Sequence, residues 1–229
     1  MPPIIKVIIP AYNEEASIPL VIQDIPKEWV DEVIVVNNAS TDKTAEEAKK
    51  AGATVLTEKQ PGYGRACLKG MAYLESLPEP PEIVVFLDGD YSDYPQQLPE
   101  VVAPILEQGY DMVIGSRAKG QKEKGSMTFP QVFGNKLATR LMRLFYGVRY
   151  SDLGPFRAIR YEALMQLGMQ DKTYGWTVEM QLKAAKKKLK VTEVPVNYKK
   201  RIGVSKVSGT VKGTVLAGYK IIWTIFKYL

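Results

Sequence analysis

Short apolar runs alternate with amphipathic ones along the first half of the chain. KVIIP (6–10), EVIVVNN (32–38), ATVLTEK (53–59), EIVVFLD (82–88) and DMVIGSR (111–117) predict strands. EIVVFLD is apolar on both faces, as strands buried within a parallel sheet are. Between the strands, TDKTAEEAKKAG (41–52) has a capping residue, glutamates in its first turn, lysines in its last and a closing glycine, which together predict a helix. GRACLKGMAYLESL (64–77) and QQLPEVVAPILEQG (96–109), the latter with an internal proline, predict two more. Strands alternating with helices of this length predict an α/β fold built on a mostly parallel, doubly wound sheet.

After residue 117 the rhythm changes. AKGQKEKGSMT (118–128) is polar and predicts a mobile loop. FGNKLATRLMRLFYG (133–147) and WTVEMQLKAAKKKLK (176–190) predict helices, VTEVPVNYKK (191–200) an edge strand because of Pro195, and RIGVSKVSG (201–209) a basic loop. This second half reads as an elaboration of the same sheet, so residues 1–210 are expected to form one domain. Residues 211–229 follow as a C-terminal amphipathic helix. Lys212, Lys220 and Lys227 fall within an arc of about 80°, opposite Val211, Val215, Ile221, Ile222, Ile225 and Leu229, with Tyr219 and Trp223 near the lysines. Such a helix suits a membrane surface and is too short and charged for a span; a helix docked on the domain's own core shows the same period.

Charge and composition narrow the chemistry. Residues 1–110 carry 8 basic and 18 acidic side chains, residues 111–229 carry 23 and 7, so a balance of −10 faces one of +16. The second half is therefore expected to meet an anion: nucleic acid, a membrane surface or a phosphorylated substrate. The single cysteine, Cys67, suits a reducing compartment. The N-terminal MPPIIKVIIPAYNEE lacks a cationic lead and a small-residue cleavage site, and reads as a buried strand rather than a signal peptide. There is no histidine, so a metal must be held by oxygen ligands, which favours Mg²⁺ or Mn²⁺ over Zn²⁺.

In parallel sheets, ligands bind at the carboxyl ends of strands. Here those ends are PAYNEE (10–15), NNASTD (37–42), KQPGYG (59–64), DGDYSD (88–93) and GSRAKG (115–120). The dinucleotide fingerprint, the Walker loop and the nucleophile elbow are missing. DGDYSD opens like a calcium loop, but Asp93 stands where glycine is needed and Pro99 where glutamate is needed. What remains is an Asp-x-Asp pair, Asp88 and Asp90, at the end of a buried strand. Alternate residues of an extended segment point the same way, so both can share one cation, with diphosphate oxygens completing its shell.

With VIIPAYNEE (7–15), VVNNASTDKT (35–44), GYGRAC (62–67), LDGDYSDYP (87–95), VIGSR (113–117), DLGPFRAIR (152–160) and VPVNYKKRIGVSK (194–206) in order, the chain resembles glycosyltransferase family 2, with its GT-A fold. Its nearest resemblance is to the branch of dolichyl- and polyprenyl-phosphate mannosyl- and glucosyltransferases. The resemblance implies a nucleotide-binding half (1–117) and an acceptor-binding half (118–210). Pro10, Ala11, Tyr12 and Glu14 match positions at the base and ribose, and Asn38 matches a base-contacting aspartate. Asp88, Gly89 and Asp90 match the metal and diphosphate segment, with Ser92 a further metal ligand. Arg117, Arg201 and Lys206 match basic residues at the diphosphate and acceptor phosphate. The departure is Asn37-Asn38, where Asp-Asp is usual, which leaves UDP and GDP both open as donors.

The implied reaction is inverting, metal-dependent transfer of a hexose from a nucleotide sugar, with Asp90, Asp152, Arg201 and Lys206 as the catalytic group. A monophosphate acceptor needs no general base, because it is mostly ionised at neutral pH. A polyprenyl phosphate therefore fits the absence of histidine, the basic second half and the amphipathic tail together. A hydroxyl acceptor would look to Asp152 or Glu179 for a base. Expected partners are the nucleotide sugar, the lipid phosphate and a membrane surface on the cytoplasmic side, with a membrane-protein partner or a second copy also open, and no nucleic acid. The rival readings are a non-catalytic nucleotide-binding scaffold and a nucleotidyltransferase.

Overall fold

The computed structural model describes residues 2–205 and 210–229. The strands are β1 (Ile5–Ala11), β2 (Glu32–Asn38), β3 (Thr54–Glu58), β4 (Ile83–Phe86), β5 (Met112–Ser116), β6 (Arg157–Arg160) and β7 (Val191–Pro195). The helices are α1 (Ile18–Asp24), α2 (Thr44–Lys50), α3 (Tyr63–Glu75), α4 (Leu98–Gln108), α5 (Phe129–Tyr146), α6 (Tyr161–Leu167), α7 (Trp176–Lys186) and α8 (Val211–Lys227). The described strands form one sheet in the order β3-β2-β1-β4-β6-β5-β7, parallel except at β6, which runs antiparallel between β4 and β5. Strands from both halves of the chain thus share one sheet.

The period-2 pattern of β1 separates the two cores. Val7 and Ile9 face Ile18 and Val21 of α1 and Val101 and Ile105 of α4. Ile8 faces the other way, with Cys67, Met71 and Leu74 of α3 and Trp176 and Met180 of α7. Each fully buried aliphatic side chain here contributes about 1.5–3 kcal/mol. α4 ends at Gly109, whose φ of 69° supplies the left-handed closing residue.

The structure departs from the expected pattern in four places. β6 and α6 were not expected: FRAIR puts an arginine inside a four-residue strand, and apolar periodicity cannot flag that. Arg157 is fully buried, its guanidinium donating to the carbonyls of Leu153, Gly154 and Thr177. Burial lowers its pKa to about 10. α1 was also missed; Pro19 in its first turn is compatible with a helix start. Residues 118–128 are tied down: Tyr198 N–H donates to Gln121 O, Glu123 N–H to Tyr198 O, and Gln121 N–H to the Asn197 side chain. The edge strand ends at Pro195, earlier than expected.

α8 docks on α5 and α7 through Ile225, with Ile221 and Tyr228 partly buried beside it. Tyr146 donates to Ile225 O, and Lys220 turns inward to pair with Asp171 at 2.9 Å. The expected division of α8 into apolar and basic faces is therefore broken, because its fit to α5 and α7 decides which face is covered. Val215, Leu216, Tyr219, Trp223 and Phe226 stay exposed. Among the described residues, no helix is long and apolar enough to cross a membrane.

Candidate active site

The carboxyl ends of β1, β2 and β4 meet in one cleft. The turn after β1 is sewn to the turn after β2. Asn13 N–H donates to Ser40 Oγ, Thr41 N–H to Asn13 Oδ1, Glu14 N–H to Thr44 Oγ1, and Lys43 N–H to Glu15 Oε2. Asn13 and Ala39 both hold positive φ, at 54° and 61°. The Ser-Thr-Asp-Lys-Thr run after β2 thus holds the cleft wall in place.

A cavity of about 300 Å³ opens there, lined by Pro10, Ala11, Tyr12, Glu14, Asn38, Asp88, Gly89 and Asp90, with Pro61, Gly62, Tyr63, Tyr174, Arg201 and Ser205. A second cavity of about 340 Å³ adjoins it. Both share Tyr63, Asp88, Asp90, Tyr174, Arg201 and Ser205. The second also takes in Arg117, Tyr198 and Thr177, and residues of α5 and α8 including Gln131, Asn135, Thr214 and Gly218. Asp88 and Asp90 therefore stand in the wall common to two chambers.

Asp88 Oδ1 accepts from Tyr63 OH at 3.0 Å. Burial, and then the charge of Asp90, push its pKa up to about 7. Asp90 Oδ1 accepts from Ser92 N–H at 2.9 Å and Ser92 Oγ at 2.5 Å. Its Oδ2 lies 3.0 Å from Arg201 Nη1, and Arg201 Nη2 lies 2.7 Å from Glu14 Oε1. Ser92, expected as a metal ligand, is buried and lines neither cavity, its hydroxyl directed at Asp90. Two carboxylates, Asp88 hydrogen-bonded at one oxygen by Tyr63 and Asp90 held at both by Ser92 and Arg201, suit a divalent cation that draws its remaining ligands from a diphosphate and water. Among the described residues no cluster of three or more acidic, Cys or His side chains offers a self-sufficient metal site.

The third aspartate of the segment behaves differently. Asp93 is 1% exposed, and neither of its oxygens has a hydrogen-bond partner among the described residues. Burial, and then the Asp88 charge, push its pKa well up.

Asn38 lines the first cavity, yet its amide is committed to the chain. Nδ2 donates to Gln60 O at 2.8 Å and Glu58 O at 3.3 Å, and Oδ1 accepts from Gly62 N–H at 2.7 Å. Arg117 forks onto Asp152 through Nε and Nη2, both at 2.8 Å, and its N–H donates to the same carboxylate at 2.7 Å. Burial pushes the Asp152 carboxyl up, but the Arg117 charge and hydrogen bonds outweigh it and leave its pKa lowered. Asp152 lines neither cavity, nor does Glu179, which accepts from Gln170 N–H, Asp171 N–H and Tyr228 OH. Lys206 lies outside the described residues. Tyr63 and Tyr174, both in the shared wall, were not expected from the sequence. Tyr63 sits in the Gly-rich GYGRAC run, and Tyr174 carries no local signal.

The family model described as Glycosyl transferase family 2 matches residues 6–168. The chain belongs to that family. It is a glycosyltransferase. An uncharacterised glycosyltransferase of Mycobacterium tuberculosis is 35% identical, over 93% of this chain and 94% of its own. A dolichyl-phosphate hexose transferase of Haloferax volcanii is 30% identical, over 93% of this chain and 90% of its own. Glucosyl-3-phosphoglycerate synthase from M. tuberculosis, crystallised with Mn²⁺, UDP and phosphoglyceric acid, superposes with a TM-score of 0.78 at 24% identity, covering 99% of this chain and 78% of that one. At that identity the superposition establishes the shared GT-A fold of the glycosyltransferase.

Proposed function

We propose that this glycosyltransferase moves a hexose from a nucleoside-diphosphate sugar in the first cavity to the phosphate of a polyprenyl phosphate at the second. The observation that carries this reading is the shared wall: Asp88, Asp90 and Arg201 face both chambers, so donor and acceptor meet at one set of charges. Residues 1–117 then supply most of the donor side, and residues 118–210 together with α8 the acceptor side.

Asp88 and Asp90 would hold Mg²⁺ or Mn²⁺ together with the diphosphate, a reading supported by the Mn²⁺ and UDP with which the structural neighbour was crystallised. When bound, the cation neutralises charge on the departing diphosphate. Pro10, Tyr12 and Glu14 line the first cavity, where the nucleoside would lie. Arg201 adds positive charge where the diphosphate develops its own negative charge, with Lys206 proposed beside it. Asp152 acts as a positioning residue for Arg117. On this reading no general base is needed, because the acceptor phosphate arrives ionised.

Three helix starts support an anionic acceptor. The first turns of α5 and α7 contribute Pro130, Gln131 and Thr177 to the second cavity, and α8 contributes Thr214. Each helix N-terminus presents partial positive charge. A membrane-borne acceptor is supported by the exposed aromatics of α5 and α8, Phe129 (82% exposed), Phe133 and Trp223 (51%), on helices that also carry lysines and arginines. The Haloferax relative named for dolichyl phosphate points the same way. On this reading the protein sits peripherally on the cytoplasmic leaflet.

A second reading, a small phosphorylated acceptor, is favoured by the modest volume of the second cavity, about 340 Å³, and by the phosphoglyceric acid in the structural neighbour. A transfer assay separates the two. UDP-glucose and GDP-mannose, each radiolabelled, are offered with Mn²⁺ and either polyprenyl phosphate in detergent or 3-phosphoglycerate. Label entering the organic phase, and lost with Asp90→Asn, supports the lipid acceptor. Label on phosphoglycerate alone replaces it with the small acceptor. No transfer to either would refute both.

A further inference from the structure

Arg201 stands where the two cavities join, and it bridges two acidic groups of the donor site. One guanidinium nitrogen is 2.7 Å from Glu14 and another 3.0 Å from Asp90, while its Nε is buried with no partner among the described residues. The backbone follows the same path, since Ile202 N–H donates to Asp90 O at 3.0 Å and Lys199 N–H to Ser92 O at 2.9 Å. Asp90 is thereby fully engaged: one carboxylate oxygen on Ser92, the other on Arg201. A divalent cation approaching Asp90 meets a guanidinium already in contact with the oxygen it needs. Two cations on one carboxylate oxygen repel, and Arg201 is partly buried, so solvent screens that repulsion incompletely.

We infer that Arg201 is the resident counter-ion of the metal site, and that it makes cation binding depend on the diphosphate. Without nucleotide, the cation must displace Arg201 from Asp90 and leave a partly buried guanidinium with Glu14 alone. With a diphosphate present, the displaced guanidinium gains a new anionic partner matched to its planar fork. Cation and nucleotide are then coupled ligands, each raising the affinity for the other through one side chain. Asp88 and Asp90 alone make a sparse cation site, which is consistent with a cation arriving together with its phosphate ligands. This inference rests on the metal and diphosphate reading above, but concerns the order and coupling of binding rather than the transfer itself.

The test is Mn²⁺ titration of the full chain by electron paramagnetic resonance or calorimetry, with and without UDP or GDP, for the unmodified protein, Arg201→Met and Arg201→Lys. Arg201→Met is expected to bind Mn²⁺ alone about tenfold tighter, since the competing charge is gone, a factor that corresponds to about 1.4 kcal/mol. The enhancement by nucleotide should shrink in the same variant. Arg201→Lys keeps a charge that cannot fork between Glu14 and Asp90, and should fall between the two. Matching circular dichroism and melting curves establish that the variants are folded, and Arg201→Lys carries the test should the methionine variant fail to fold. Equal or weaker Mn²⁺ binding by Arg201→Met in the absence of nucleotide would overturn the inference while leaving the metal reading intact. No Mn²⁺ binding by the unmodified protein, even with either nucleotide, would overturn both.

Discussion

Asn38→Asp exchanges an amide for an isosteric carboxylate at the wall of the first cavity. Asn38 is 5% exposed and donates through Nδ2 to two backbone carbonyls, those of Glu58 and Gln60. The substitution removes both donated bonds, at about 1 kcal/mol net each. It also sets a buried carboxylate oxygen against two carbonyl oxygens, which adds roughly 1–3 kcal/mol for the uncompensated polar groups. The sum, about 3–5 kcal/mol, is large for a change of one atom and corresponds to a Tm decrease of roughly 6–20 °C for a chain of this size. The sign of the pH effect follows from the same contacts. Burial against carbonyls raises the new group's pKa in the folded state, and once protonated it can donate to Gln60 O. The folded state is thus favoured at low pH, and stability falls as pH rises from the ordinary aspartate range through the raised value. Melting curves at pH 5 and pH 8 should show the larger deficit at pH 8. Because Asn38 acts through the loop at 58–62, UDP and GDP affinities should fall together in calorimetry. An unchanged Tm with a shifted UDP-to-GDP preference would refute the reasoning and restore Asn38 as a direct reader of the base.

Other outcomes follow from the same geometry. Asp88→Asn removes a carboxyl whose pKa burial and Asp90 push up to about 7, so ionising it works against the fold. Without metal, the variant should melt higher than the unmodified protein at pH 8, and the gap should shrink as pH falls from about 7 and close below about 3, where Asp88 is protonated in both states. Mn²⁺ with nucleotide should stabilise the unmodified protein and not the variant; a lower Tm for the variant at pH 8 in metal-free buffer contradicts this. Gly64→Ala would place a methyl group 2.0 Å from the Asp171 carbonyl, with the Lys172 backbone also within 3 Å. It should cost about 3 kcal/mol in denaturant melts and weaken nucleotide binding by displacing Tyr174 from the cavity wall. Trp223→Ser and Phe133→Ser, both on exposed positions, should leave Tm within about 1 °C and reduce sedimentation with anionic vesicles several-fold. Unchanged sedimentation would remove the membrane from the proposed function.

Much of the site could be read along the chain because it is made of strand ends. A buried strand declares itself by its apolar run, and its carboxyl end follows within two or three residues. Asp88, Asp90 and the Pro10–Glu14 turn are therefore legible as strand ends, and the structure brings them around one cavity. Alternate residues of an extended chain share a side, which is why Asp88 and Asp90 face the same chambers. The limit of such reasoning lies with side chains whose partners are remote. Asp152 reads as a base until Arg117, thirty-five positions away, is found to fork onto it. Ser92 reads as a ligand until its hydroxyl is seen on Asp90.

The sequence by itself determined the strand-and-helix alternation, the family, the Asp-x-Asp pair and the division between an acidic first half and a basic second half. These are local properties: hydrophobic period, turn chemistry and charge act over a few residues. Only the tertiary structure decided that β6 enters antiparallel with a buried arginine, that α8 covers α5 and α7 with one face and leaves aromatics on the other, and that Asn38 holds a loop. It alone decided that Arg201, 187 residues beyond Glu14, closes a bridge across the donor site. Such pairings depend on how the packed sheet brings distant segments together, and a carboxylate's role depends on which cation that packing sets beside it.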